Sequence, residues 1–225
     1  MPSFDIIKQI DVENSFRVEK VKSDFDVKTE HATEHFQGEI IIPDKWSIGV
    51  IVGGSGTGKS TIAKELYPEN FITSFCYTHK SVIDDMPSAN MNEIEHAFYS
   101  VGFSSVPSWL KPYSVLSNGE KMRVDLARAM LEYDFFVFDE FTSVVDRQVA
   151  ETASIAIEKA IRKNKKKFIA VTCHFDIIQW LQPDWVFNTN TMKNDFFQEA
   201  HDRKNILQSK NVSATSGQNL SVIII

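Results

Sequence analysis

The eight residues Gly53-Gly54-Ser55-Gly56-Thr57-Gly58-Lys59-Ser60 constrain this chain more than any other feature. They fit the pattern G-x-x-x-x-G-K-[ST] and are followed by Thr61. Before them runs Ser47 to Val52 (SIGVIV), rich in β-branched residues, which predicts a buried strand. After them residues 59–67 carry a helical pattern. A strand that passes through such a loop into a helix builds an anion site. The glycines let backbone N–H groups face phosphate oxygens where a side chain would collide. The helix N-terminus adds positive potential. Lys59 would reach the β- and γ-phosphates, and the Ser60 hydroxyl would ligate Mg²⁺. The candidate phosphate set is Gly53, Ser55, Gly56, Thr57, Gly58, Lys59, Ser60 and Thr61. A glycine-rich turn with a chance lysine is the plain alternative, and the strand–loop–helix context argues against it.

The remaining chain alternates strand and helix patterns. Phe16 to Val21 and Gly38 to Ile42 read as short strands. Residues 76–119 are irregular, hold Pro87, Pro107 and Pro112, and predict one helix over 90–101; they read as a small inserted subdomain. A helix is expected over 119–132, a buried strand over Phe135–Phe138, a helix over 147–163 and a strand over Phe168–Thr172. This order predicts an α/β fold with a largely parallel sheet. One domain over 1–203 is expected, followed by a loose tail over 204–225 rich in Ser, Asn and Gly.

Two carboxylates close the apolar run Phe135-Phe136-Val137-Phe138, namely Asp139 and Glu140. A buried strand delivers both to its C-terminal end, where open α/β sheets bind ligands. Asp139 can hold Mg²⁺ and Glu140 can orient and deprotonate an attacking water. An acidic turn is the bland reading of the pair alone; beside the glycine loop the functional one is favoured.

Composition narrows the classes further. The net charge is −6, from 24 basic and 30 acidic residues, which argues against a protein that coats nucleic acid. Two distant cysteines, Cys76 and Cys173, form no disulfide framework and fit a reducing, cytoplasmic compartment. No apolar run approaches the roughly 20 residues that span a bilayer, and Met1 to Ile10 holds no signal-peptide core. Any membrane role would come through another subunit.

Three further segments resemble the ATP-binding cassette (ABC) ATPases. Leu116-Ser117-Asn118-Gly119-Glu120 is similar to the family signature LSGGQ, and Lys121 to Ala129 to the helix that follows it. Asp139-Glu140-Phe141-Thr142-Ser143-Val144-Val145-Asp146 resembles DEPTSALD, and Thr172-Cys173-His174 the switch-histidine segment. All follow the phosphate loop in family order, and the likeness covers roughly residues 16–190. The resemblance implies a P-loop NTPase of ABC type, with a mostly parallel sheet, a peripheral antiparallel β region and a short helical subdomain. It also implies ATP and Mg²⁺ as ligands and hydrolysis by Glu140, His174 and Lys59. Ser117, Asn118 and Gly119 would face the γ-phosphate held by a second protomer, and Asp146 would cross that interface. An ATP-dependent head-to-tail homodimer follows.

Several positions depart from the family pattern. Asn118 replaces a glycine, which a tolerance of Asn for left-handed backbone could accommodate. Glu120 replaces Gln, and Phe141 replaces Pro. Residues 71–117 contain no glutamine, so the loop that links nucleotide to the membrane subunit in transporters lacks its usual residue. His79, Ser81 and Asp84 are candidates to replace it. Phe25 and Phe36 are candidates to stack on adenine, and each could equally be core. The run Val106-Pro107-Ser108-Trp109-Leu110-Lys111-Pro112-Tyr113, with DEFTSVVDR, resembles the soluble ABC-type ATPases fused to an acetyltransferase-like domain. Residues 190–225 show no Gly-rich acetyl-CoA loop, which suggests a cassette standing alone or truncated.

Two signals are discounted. His31-Ala32-Thr33-Glu34-His35 matches H-x-x-E-H, yet zinc chemistry there needs both histidines on one helix face, and the stretch lies between short strands. Arg162-Lys163-Asn164-Lys165-Lys166-Lys167 suits a helix C-terminus and solvated loop, with a nucleic-acid or acidic-lipid contact as the rarer reading. The expected function is Mg²⁺-dependent ATP hydrolysis by a soluble, non-transport ATPase acting on an unidentified protein or nucleic acid. The alternatives are the nucleotide-binding subunit of a transporter and a small-molecule P-loop kinase.

Overall fold

The computed structural model describes residues 2–11, 15–26, 31–87 and 90–196. The expected loose tail over 204–225 lies outside them.

The buried run after Trp46 forms strand β3 (Ile48–Val52) at the centre of a six-stranded sheet. Its strands run in the order β4 (Phe71–Ile72), β5 (Phe135–Phe138), β6 (Lys167–Thr172), β3, β7 (Trp185–Asn188), β8 (Lys193–Phe196). The first five are parallel, and β8 closes the sheet antiparallel to β7. Strand pleating sends alternate side chains to opposite faces. Ile48, Val50, Val52, Phe136, Phe168 and Ala170 point to one face, where they pack with helices α3 (Met91–Ser100), α5 (Asn118–Glu132), α6 (Arg147–Lys163) and α7 (Ile177–Leu181). Ile51, Val137, Ile169, Val171 and Phe187 point to the other, against Ile62 and Ala63 of helix α2 (Lys59–Leu66). Burial on both faces explains why these strands read as unbroken apolar runs. The short helix α4 (Val106–Trp109) lies between α3 and α5, where Trp109 donates its indole N–H to Phe103 O at 2.9 Å.

A separate two-stranded antiparallel sheet joins β1 (Ser3–Asp11) to β2 (His31–Glu39), from Ser3 opposite Glu39 to Asp11 opposite His31. Phe4 and Phe36 project from it into the α2 side of the core. The α/β architecture expected from the motifs is therefore present, a mostly parallel sheet with a peripheral antiparallel part.

Three local expectations differ from the structure. Phe16 to Val21 is not a strand but part of helix α1 (Phe16–Asp24). Ser15 caps it by accepting from the Val18 N–H at 3.3 Å, and Glu19 and Lys22 pair along one face. Five charged residues and no buried side chain leave the apparent alternation with nothing to pack against. The strand expected over Gly38–Ile42 lies earlier, because pairing with β1 fixes its end at Glu39. Strand β1 itself was not anticipated, although Phe4 and Ile6 face inward at the period of two that marks a half-buried strand.

Candidate nucleotide site

Strands β3, β6 and β5 lie side by side, with Val52 beside Thr172 and Phe138 beside Ala170. Their C-terminal ends therefore bring three sequence segments to one edge: the glycine loop, His174, and the Asp139–Glu140 pair.

The glycine loop needs its glycines for geometry. Gly56 and Gly58 hold φ of +77° and +80°, left-handed values that favour glycine. A Cβ on Gly58 would also sit 2.6 Å from the Phe36 ring, which packs directly behind the loop. Inside the curve, Lys59 is only 8% exposed and donates to Gly54 O at 2.6 Å. Thr57 donates to Gly54 O at 2.9 Å. The turn after β7 supports the loop from the other side. Thr189 Oγ1 lies 2.6 Å from Thr57 Oγ1, and the Asn190 side chain accepts from the Gly54 N–H at 2.9 Å. No local pattern in the sequence marks Thr189 or Asn190, because parallel pairing of β3 with β7 brings them there from far along the chain.

Ser60 Oγ donates to Asp139 Oδ1 at 2.9 Å, and the same oxygen accepts from the Glu140 N–H at 2.9 Å. The carboxylate is thus oriented from two sides. Glu140 is exposed and holds φ of +49°; Thr142 is fully buried and holds φ of +65°. A β-branched residue in the left-handed region stores strain on the order of 1–3 kcal/mol. Phe141 anchors the turn: fully buried, it packs edge-on against Phe138 and Phe168. An aromatic thus fills the place where the family pattern has proline.

Thr73 and Ser74 follow β4 and line a cleft of about 340 Å³ with Asp139, Glu140, Asn118 and Lys121. The three polar residues considered for the missing glutamine lie elsewhere in the bonding pattern. His79 pairs with Asp85 at 2.7 Å, and Ser81 bonds Asp84. The segment's reach into the cleft comes from Thr73 and Ser74, which sequence reasoning missed. That segment is clamped to α5. Tyr77 and Tyr113 stack at 3.9 Å, and each donates its hydroxyl at 2.7 Å to a different oxygen of Asp125. Burial pushes the Asp125 carboxyl up, and burial beside Asp125 pushes both phenols up.

The signature segment begins α5. Ser117 is its N-cap and forms a reciprocal capping box with Glu120. Glu120 accepts from the Ser117 N–H at 2.9 Å, the Ser117 hydroxyl at 2.8 Å and the Ser108 hydroxyl at 2.7 Å. The Ser108 bond leads the set that holds the Glu120 carboxyl below the usual range. Asn118 is the first helical residue with ordinary negative φ, so no left-handed tolerance is involved. Gly119 is needed for closeness, since a Cβ there would lie 3.0 Å from Val149 Cγ1 of α6. Asp146 caps α6 by accepting from the Val149 N–H at 2.9 Å.

His174 is half-buried at the end of β6, with its N–H on Thr172 Oγ1 at 3.1 Å. Phe36 is buried behind Gly58, whereas Phe25 is 74% exposed. The H-x-x-E-H stretch lies within strand β2, which spaces the two histidine backbones by roughly 13 Å. His35 pairs with Asp5 there. No helix among the described residues is long and apolar enough to cross a membrane.

No protein-family model matches the chain, and no curated protein sequence matches it significantly. Solved structures do. The ATP-binding cassette MJ0796, solved as a dimer in a post-hydrolysis state bound to ADP and Pi, superposes with a TM-score of 0.58 at 14% identity, covering 74% of this chain and 93% of its own. cbiO1 from Clostridium perfringens, part of the ABC transporter complex cbiONQ, gives 0.58 at 18% identity over 86% and 91%. A putative metal-chelate type ABC transporter gives 0.58 at 19% identity over 80% and 81%. At these identities the likeness is one of fold, and the fold of this chain is that of an ATP-binding cassette ATPase.

Proposed function

We propose that this chain is a Mg²⁺-dependent ATPase that closes as a head-to-tail dimer on ATP, with the ATPase unit spanning residues 1–203 and residues 76–119 forming its short helical subdomain. The reaction is ATP and water to ADP and phosphate. The observation that carries this reading is the bond between Ser60 and Asp139 at the mouth of the glycine loop, with Glu140 next along the chain.

Lys59 and the N–H groups of residues 53–61 neutralise charge on the phosphates as it develops. Ser60 and Asp139 offer two adjacent oxygen donors, a set that suits a hard divalent cation, and would hold Mg²⁺. When bound, Mg²⁺ supplies electrostatic stabilisation of the phosphate oxygens. Glu140, exposed beside this pair, accepts a proton from the attacking water. His174 contacts the γ-phosphate and keeps that water in line. Ser117, Asn118 and Gly119 face the nucleotide of the second protomer, and Asp146 links the two sites.

A soluble, cytoplasmic, non-transport role, of the kind held by the cassettes fused to an acetyltransferase-like domain, is favoured by the altered segment after β4. There Thr73 and Ser74 stand in the cleft and the Tyr77–Asp125–Tyr113 clamp holds the strand to α5. Its macromolecular partner is a protein or a nucleic acid. The second reading is a transporter subunit that meets the membrane through another chain, favoured by the transporter complexes among the solved structures of like fold.

The test is the molar mass in solution of Glu140→Gln with and without ATP and Mg²⁺. Dimerisation only with both supports the reading. A monomer under both conditions, with no turnover by the unaltered chain, overturns it. Co-purification of the unaltered chain with an integral membrane protein would favour the transporter reading.

A further inference from the structure

His174 is bracketed by two crosslinks, and both lead to the same stretch of chain. On its N-terminal side, Phe141 N–H donates to Val171 O at 2.9 Å and Thr172 Oγ1 donates to Phe141 O at 2.9 Å. On its C-terminal side, Arg147 donates through Nε to Asp176 Oδ2 at 2.8 Å and through Nη2 to Asp176 Oδ1. The stretch from Phe141 to Arg147 is preceded directly by Glu140 and contains Asp146. The four residues between β6 and α7 therefore hang between two ties to the segment that carries the carboxylates.

The two ties differ in kind. The Phe141–Thr172 tie is buried and continues the sheet, so it serves the fold. The Arg147–Asp176 pair is half-exposed, with side chains 39% and 41% accessible. An ion pair so exposed adds little to stability. Yet its two-pronged geometry fixes direction as well as distance, which a single contact does not. The Arg147 guanidinium also lies 5.2 Å over the Trp180 ring of α7, which limits its rotamers. Its third nitrogen, Nη1, is buried and has no hydrogen-bond partner among the described residues. The arrangement spends a constrained arginine on orientation and gains little folding energy from it.

We propose that Arg147 and Asp176 are a pair of positioning residues that hold the His174 loop in register with Glu140 and Asp146. The inference rests on the ATPase reading above. Neither residue touches nucleotide; they act through the loop between them. Loss of the pair lets the His174 loop move about its remaining tie at Thr172, so productive geometry is populated less often while the phosphate loop still binds ATP. Misplacement of a positioned group by about 1 Å can cost on the order of 100-fold in rate.

The experiment measures steady-state ATP turnover of the full chain with Mg²⁺, together with ATP affinity by calorimetry and thermal midpoint. The variants are Arg147→Ala, Asp176→Ala, their double, and the near-isosteric Asp176→Asn in case an alanine variant fails to fold. Each single change is expected to lower kcat at least tenfold, with KM and ATP affinity within twofold and a midpoint little altered. The double is expected to be no slower than the slower single, since each change removes the same link. Singles that keep kcat within twofold overturn the proposal. So do losses that multiply in the double, or a raised KM at unchanged kcat. An unaltered chain that binds ATP but shows no turnover fails the ATPase reading instead, which separates the two claims.

Discussion

Ser60 and Asp139 meet at 2.9 Å, although the chain separates them by the whole stretch that holds α3, α4 and α5. The bond joins the first turn of α2 to the end of β5, and it makes the glycine loop and the carboxylate strand one unit. Removing either side should therefore impair metal use more than folding. Asp139→Ala is expected to reduce Mg²⁺-supported ATP turnover at least 100-fold while lowering stability in urea by only about 1–2 kcal/mol, for the two hydrogen bonds its carboxylate accepts. Chelation of Mg²⁺ should reduce the unaltered chain to the same level. Turnover assays with and without chelator check both.

Glu140 is exposed beside that unit and lines the cleft. Glu140→Gln is expected to slow turnover by about 100- to 10,000-fold, the range for loss of a positioned base, without loss of ATP affinity. Single-turnover kinetics and calorimetry together would show it.

The Glu120 carboxyl is held below its ordinary range by hydroxyls of Ser108 and Ser117 and the Ser117 N–H. A depressed folded-state value means that the stabilisation is complete above the unfolded value, about 4.3, and is lost as the pH falls through the folded one. The stability gap between the unaltered chain and Glu120→Gln should thus be constant from pH 7 to 5 and shrink below about 4. Glu120→Ala, which removes the capping box, should cost about 1 kcal/mol at pH 7. Denaturant midpoints across pH check the sign.

Gly119 leaves room for Val149, and the two helix starts nearly touch there. Gly119→Ala should cost about 1–3 kcal/mol through overpacking, and Val149→Ala should relieve it in the double variant. Thermal midpoints of the four chains measure the coupling.

Much of the architecture was legible from the residues because the informative parts were local. The run into Gly53, the run into Asp139 and the α6 apolar positions recurring at helical spacing each declare an element locally. The motifs then fall on the ends of adjacent parallel strands, as any sheet of this topology requires. What stayed hidden was contact between distant segments. Asn190 on Gly54, Asp176 on Arg147 and Tyr77 on Asp125 depend on strand order and helix placement, which no short pattern encodes. The N-terminal region was misread for a different reason. Phe16 and Val18 lie two apart but Val21 falls out of step, and so short an alternation without a core to face carries no information; the Ser15 cap decided the outcome.

The Phe36 ring behind Gly58 carries one more consequence. Every motif shared with the ABC ATPases lies between Gly53 and His174, so a shortened chain beginning near Trp46 would keep all of them. It would nonetheless lose the backing of its glycine loop, because that backing comes from Phe36 within β2, outside the motif region. The glycine curve is a borrowed shape, moulded against an aromatic from a neighbouring sheet. A minimal fragment designed from motifs alone would contain the right letters and the wrong cradle.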